Sequence, residues 1–163
     1  MKKILLIITT LSLSFAGTMY FQYDTGDDEF ISVGYNHPVK EFDKWSLAVG
    51  TSYDKSFADE FDGAFMKIYM LDLYPINETF SLWGTFGYSF VMDEGVTETY
   101  CENGICAELE GGLTYGLGFH YKMNDQWGMG LGYSSLDYTV SFSGVDILED
   151  EATRTDLHFS YSF

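Results

Sequence analysis

From residue 17 onward, large apolar side chains recur at every second position. In 109–123 the odd positions are Leu109, Leu113, Tyr115, Leu117, Phe119, Tyr121 and Met123, with Gly111 the gap. The even positions are Glu110, Gly112, Thr114, Gly116, Gly118, His120 and Lys122. Successive strand residues point to opposite faces, so this segment reads as a strand with one large apolar face and one small or polar face. Leu157, Phe159, Tyr161 and Phe163 alternate with Asp156, His158, Ser160 and Ser162 in the same way, and Trp127, Met129, Leu131 and Tyr133 alternate with Gly128, Gly130, Gly132 and Ser134. The 45–53 and 80–92 segments repeat the pattern, and none of them follows helical spacing.

This periodicity predicts eight strands, at about 18–24, 30–37, 45–54, 65–75, 80–93, 109–123, 127–142 and 154–163. Two segments leave alternatives. In 65–75, Lys67 and Asp72 fall on opposite faces, so one of them must lie near an interface. In 127–142 the apolar parity moves after Tyr133 to Leu136, Tyr138, Val140 and Phe142, which reads as a bulge or as the strand leaving an apolar solvent.

The composition of the second face decides between a soluble fold and a membrane one. A soluble barrel would carry many charges on its outside. Here the non-apolar face is mainly Gly, Ser, Thr and Ala, which suits the inside of a narrow barrel, while the large apolar face suits lipid. Trp45, Trp127, Tyr121, Tyr161 and Phe163 sit near strand ends, as interfacial girdles do. Aromatics make up 18% of the 163 residues, with 17 Gly and only 2 Pro, which excludes a disordered chain. No apolar run is long enough for a membrane-spanning helix. The expected fold is all-β: an eight-stranded antiparallel up-and-down transmembrane β-barrel spanning 17–163.

The connections alternate in length. Short ones at 38–44, 76–79 and 124–126 lie on one side, and longer ones at 55–64, 94–108 and 143–153 on the other, with 25–29 a short exception. Short periplasmic turns and longer external loops are the bacterial arrangement, which puts both termini in the periplasm. The formal charge is −17, which argues against nucleic acid as a partner. The acids crowd the long-loop side and strand tips, from Asp24 and Asp54 through Glu94, Glu98 and Glu102 to Asp146 and Glu151. Such a rim is either a solvated surface or a surface for divalent cations or a basic partner, and no spacing resembles a calcium loop.

Residues 1–16 read as an export signal: Lys2 and Lys3, an apolar stretch, then Ser14 and Ala16 before a cut at Gly17. In an exported chain, Cys101 and Cys106 flanking an Asn-Gly pair are expected to form a disulfide at a loop tip, worth ~2 kcal/mol or less. His120 and His158 fall on the polar face. Ser160, Ser162 and Asp156 share that face, but spacing by two along one strand makes a row and not a catalytic cluster. Asp93, Glu110, His120, Lys122, Arg154, Asp156 and His158 are instead expected to pair inside the lumen, because an unpaired charge there costs several kcal/mol. No catalytic residue, metal site or cofactor is expected.

The leader, the eight amphipathic strands, the Gly-rich polar face and the closing Leu157-His158-Phe159-Ser160-Tyr161-Ser162-Phe163 resemble the small outer-membrane β-barrel proteins of Gram-negative bacteria, of the OmpX/Ail, opacity-protein and OmpA-barrel types. Trp83-Gly84-Thr85-Phe86-Gly87-Tyr88 and Gly128-Met129-Gly130-Leu131-Gly132-Tyr133 are similar to strands of those families. The resemblance covers the whole of 17–163. It implies that Phe159, Tyr161 and Phe163 form the signal read by the barrel-assembly machinery. It also implies contact with outer-membrane lipid and lipopolysaccharide, and a monomer in the membrane. The function it implies is a non-enzymatic surface barrel for envelope integrity or adhesion-type contact. A small-solute pore and a lipid A-modifying enzyme are the alternatives.

Overall fold

A computed structural model describes residues 17–26, 29–57, 63–93, 107–142 and 145–163. The leader 1–16 and the pair Cys101 and Cys106 lie outside these residues. Eight strands follow one another: β1 (Thr18–Gly26), β2 (Phe30–Glu41), β3 (Ser46–Ser56), β4 (Ala64–Pro75), β5 (Phe80–Asp93), β6 (Ala107–Lys122), β7 (Trp127–Phe142) and β8 (Val145–Ser162). Each pairs antiparallel with the next, and β1 pairs with β8 from Thr18↔Ser162 to Gly26↔Arg154, so the sheet closes into a barrel. Backbone bonds Phe163 N to Gly17 O (3.1 Å) and Gly17 N to Phe163 O (3.3 Å) finish the seam.

Three connections lie at the end that holds the termini. Two are the same device. The Asn77 side-chain oxygen accepts from Thr79 N and Phe80 N at 2.9 and 2.8 Å, and Asn124 accepts from Gln126 N and Trp127 N at 2.9 Å each. An Asn carbonyl bonded to the backbone two and three residues on closes a tight turn without help from the rest of the chain. Beside the second turn, the exposed Lys122 ammonium donates to Asp125 at 2.8 Å and holds that carboxyl below its usual range.

The outside of the barrel is the large apolar face. Val33, Ile68, Met70, Phe86, Leu117, Phe119 and Leu131 are all exposed, Leu117 the most at 65%. Aromatic pairs ring the termini end: Phe42 on Trp45 with ring centres 4.0 Å apart, Trp127 on Tyr161 at 4.9 Å and Phe80 on Tyr121 at 5.1 Å. An apolar band bounded by aromatic rings is the surface a bilayer requires.

The structure differs from the sequence reading at one place and decides two that it left open. The 143–153 segment is not a long loop, because β8 begins at Val145 and only 143–144 separate it from β7. Eighteen residues at ~3.3 Å each make β8 about 59 Å long, against the ~9–11 residues a tilted membrane strand needs, so the β7–β8 hairpin continues beyond the apolar band. The change of apolar parity after Tyr133, expected as a bulge or as the strand leaving an apolar solvent, coincides with a bulge whose extra residue is not on β7. Ser134 and Leu136 keep facing the lumen, and the extra residue sits on the neighbouring strand, between Gly111 and Thr114 of β6. The phase of β4 is settled: Phe65, Lys67, Tyr69 and Leu71 face inward, and Ile68, Met70, Asp72 and Tyr74 face outward, with Asp72 near the termini end.

A layered lumen as the candidate functional site

The barrel interior is stratified along its axis. At the long-loop end Phe30, Phe65 and Leu136 are 1–2% exposed, with Val91, Tyr138 and Val140 packed on them. The even-numbered residues of β7 thus become apolar because the lumen itself is apolar at that depth. This layer closes one end of the barrel.

Beneath it lie five buried charged side chains from four strands: Asp24, Asp54, Lys67, Arg154 and Asp156. Lys67 Nζ is 2.7 Å from Asp54 Oδ2, and Ser52 donates to the other Asp54 oxygen at 2.8 Å. Arg154 Nη1 lies 3.8 Å from Asp24 and 3.7 Å from Asp54, too far for charge-assisted hydrogen bonds of ~2.7–2.9 Å. Its guanidinium is stacked 3.7 Å from the Phe30 ring centre, which ties the charged layer to the apolar one. Gln22 donates to Asp24 at 2.6 Å, and Ser134 donates to Asp156 at 2.8 Å. Every buried carboxylate therefore has at least one donor, as removal from water demands.

The third layer, toward the termini, is aromatic and imidazole. The Tyr69 hydroxyl lies 2.7 Å from Asn36 Oδ1 and 2.8 Å from the Tyr20 hydroxyl, and its one proton serves one of them at a time. His120 on β6 and His158 on β8 flank β7, and both pair with Gly130. Their rings lean together over that strand, parallel within 9° and 5.8 Å apart. His120 Nε2 is 3.0 Å from Ser160 Oγ. Trp83 crosses from β5 to meet His158 edge-on at 5.8 Å.

The glycines of β7 make this convergence possible. A Cβ on Gly128 would stand 2.3 Å from His120 Nε2, one on Gly130 2.2 Å from His158 Cε1, and one on Gly132 2.1 Å from Trp83 Cζ2. The run Gly128-Met129-Gly130-Leu131-Gly132 is a bare inner floor beneath three rings and an apolar outer face. Gly132→Ala is expected to cost about 1–3 kcal/mol, because the indole is wedged in the core and the Leu117 carbonyl would lie 2.8 Å from the new methyl. Urea unfolding of the barrel in lipid vesicles measures it, and an unchanged midpoint would contradict this packing.

Among the residues singled out in the sequence, Arg154, Asp156, His120 and His158 all lie in the lumen, the first two in the charged layer and the others in the ring layer. Lys122 is at the termini-end rim with Asp125, and Glu110 is exposed. The side chain of Asp93 lies outside the described residues. Phe159 and Phe163 point outward, and Tyr161 packs on Trp127 at the termini-end aromatic ring. Sequence reasoning missed Asp24 and Asp54, which it placed with the rim acids, and also Lys67, Tyr20, Tyr69 and Trp83. The signal was parity: Gln22 with Asp24, and Ser52 with Asp54, share their strands' polar face.

No family model matches the sequence, and no curated protein matches it. Solved structures do. The N-terminal β-barrel domain of Pseudomonas aeruginosa OprF superimposes with a TM-score of 0.59 at 8% identity, covering 91% of this chain and 97% of that one. A de novo designed transmembrane β-barrel gives 0.55 at 11% identity, over 91% and 95%. The Yersinia pestis outer membrane protein Ail in a phospholipid bilayer nanodisc gives 0.51 at 13%, over 91% and 99%. At such identities the likeness is one of architecture: this chain has the fold of transmembrane β-barrels, in an eight-stranded form.

Proposed function

We propose that this chain is a non-enzymatic barrel of the Gram-negative outer membrane. Its lumen is closed to solutes, and its working surface is the rim at the long-loop end. The carrying observation is the plug at the long-loop end of the lumen, where Phe30, Phe65, Leu136 and Arg154 are 1–2% exposed. An eight-stranded barrel is just wide enough for side chains to fill, so a plug of this kind leaves structure and surface contact as the remaining tasks. On this reading 1–16 is the export signal, the termini face the periplasm, and Phe159, Tyr161 and Phe163 are read by the barrel-assembly machinery. The acidic loops, stiffened by a Cys101–Cys106 disulfide, face outward beside lipopolysaccharide, where divalent cations relieve the repulsion between the two anionic surfaces. Their use is envelope integrity or adhesion-type contact.

An enzymatic reading finds little support. Ser160 lies against His120, yet no carboxylate among the described residues is hydrogen-bonded to that imidazole to orient it. The test is electrical. Purified protein inserted in planar lipid bilayers is expected to be silent, while a Phe30→Ala/Leu136→Ala variant shows discrete openings. Steady conductance from the wild-type protein would replace this reading with that of a conduit. Flotation of the expressed protein with the outer-membrane fraction checks its location, and recovery from soluble periplasm would overturn it.

A further inference from the structure

The half of the lumen nearest the termini is not filled by side chains. It holds a cup of about 410 Å³, within the range of ~300–1,000 Å³ usual for small-molecule sites. The mouth lies at Ser46, Leu73 and Ser162, and the bottom at Lys67 and Asp156. The charged layer and then the apolar plug stand above that bottom, so the cup is blind.

Its two walls differ. Ala48, Leu71 and Trp83, from β3, β4 and β5, make an apolar wall. His120, His158 and Ser160, from β6 and β8, make a polar one. The glycine floor of β7 lets the imidazoles and the indole lie down against the barrel in contact with one another, so they line the cup and do not fill it. A flat guest can meet such rings by stacking or edge-on, arrangements worth ~0.5–1.5 kcal/mol beyond area burial.

Charge narrows the guest further. The layer at the bottom carries three aspartates against Lys67 and Arg154, and Lys67 is already held by Asp54 at 2.7 Å. The cation among the lining residues is Lys67, already held by Asp54, so an anion finds no free positive charge there. A cation would lose its hydration at a site whose carboxylates are already bonded. We propose that the cup binds one small uncharged aromatic molecule, its ring against the Leu71–Trp83 wall and its polar edge toward the His120–Ser160 wall, entering from the termini end.

The probe is indole, titrated calorimetrically into the barrel in lipid nanodiscs, with empty nanodiscs as the blank. Saturable one-to-one binding is expected for the wild type. Benzoate, of similar size but anionic, is expected to bind at least ~10-fold more weakly. Thr85→Trp and Ala48→Phe each fill the cup and are expected to weaken indole at least ~10-fold, while Val49→Trp, on the lipid face, leaves it unchanged. Heat-modifiable gel migration confirms which variants are folded. The proposal falls if the wild-type heat matches the blank or does not saturate. It falls also if folded Thr85→Trp or Ala48→Phe binds indole as the wild type does, or if benzoate binds as well as indole.

Discussion

Lys67→Ala is expected to destabilise the barrel by about 3–5 kcal/mol, because it leaves a buried carboxylate without its counter-ion. Asp54 is fully buried, and the Lys67 ammonium lies 2.7 Å from it. The remaining cation, Arg154, is 3.7 Å away, with two of its guanidinium nitrogens unpartnered among the described residues, and does not replace that contact. Breaking one side of a buried pair costs more than removing both, so Lys67→Met combined with Asp54→Asn should recover much of the loss. Lys122→Ala is the contrast. Its pair with Asp125 is as short at 2.8 Å, but the Asp125 side chain is 97% exposed, and no measurable change is expected. Urea titrations in lipid vesicles give all three values. Equal effects of Lys67→Ala and Lys122→Ala would mean that the charged layer is wetter and more weakly coupled than its geometry implies.

The same layer shows how far a sequence carries. Strands β5 and β7 are legible to the residue, because lipid on one side and a narrow lumen on the other impose opposite demands on alternate positions. The start of β8 was not legible. Val145 to Thr153 is rich in acids and pairs beyond the apolar band, where both faces of a strand tolerate polar residues and the two-solvent signature disappears. Strand β4 was ambiguous for the reverse reason. Its inner face carries Phe65, Tyr69 and Leu71 against the plug and Trp83, so both faces are apolar and Lys67 alone marks the inside. A tally of acids carries no depth, so by sequence alone Asp24 and Asp54 fall with the rim, although both are fully buried. Lys67 meets Asp54 through the register of the β3–β4 hairpin, and Arg154, on the last strand, meets Asp24 only because the sheet closes. In the sequence the glycines of β7 are only small lumen residues; that they seat the rings of His120, His158 and Trp83 follows from the way β5, β6 and β8 stand around them.

Leu117→Arg is expected to cost about 2–4 kcal/mol, and Met123→Arg ~0–1 kcal/mol, for barrels folded in lipid. Leu117 is the middle residue of the outward series Leu113, Tyr115, Leu117, Phe119 and Tyr121 on β6, and at 65% it is the most exposed large apolar side chain described. Its neighbours across the ladders are Gly84 and Tyr133, and neither offers a charge to an incoming guanidinium. An arginine there must lie in hydrocarbon or bend far to reach water. Met123 is also exposed, but it sits in the β6–β7 turn at the aromatic ring of the termini end, where a guanidinium reaches the headgroups directly. In a soluble barrel the ordering would vanish, since an arginine on a water-facing surface is tolerated at either position. Equal and small costs would therefore remove the apolar band from the bilayer. A larger cost at Met123 than at Leu117 would move the bilayer midplane toward the termini end and shift the assignment of every outward residue with it.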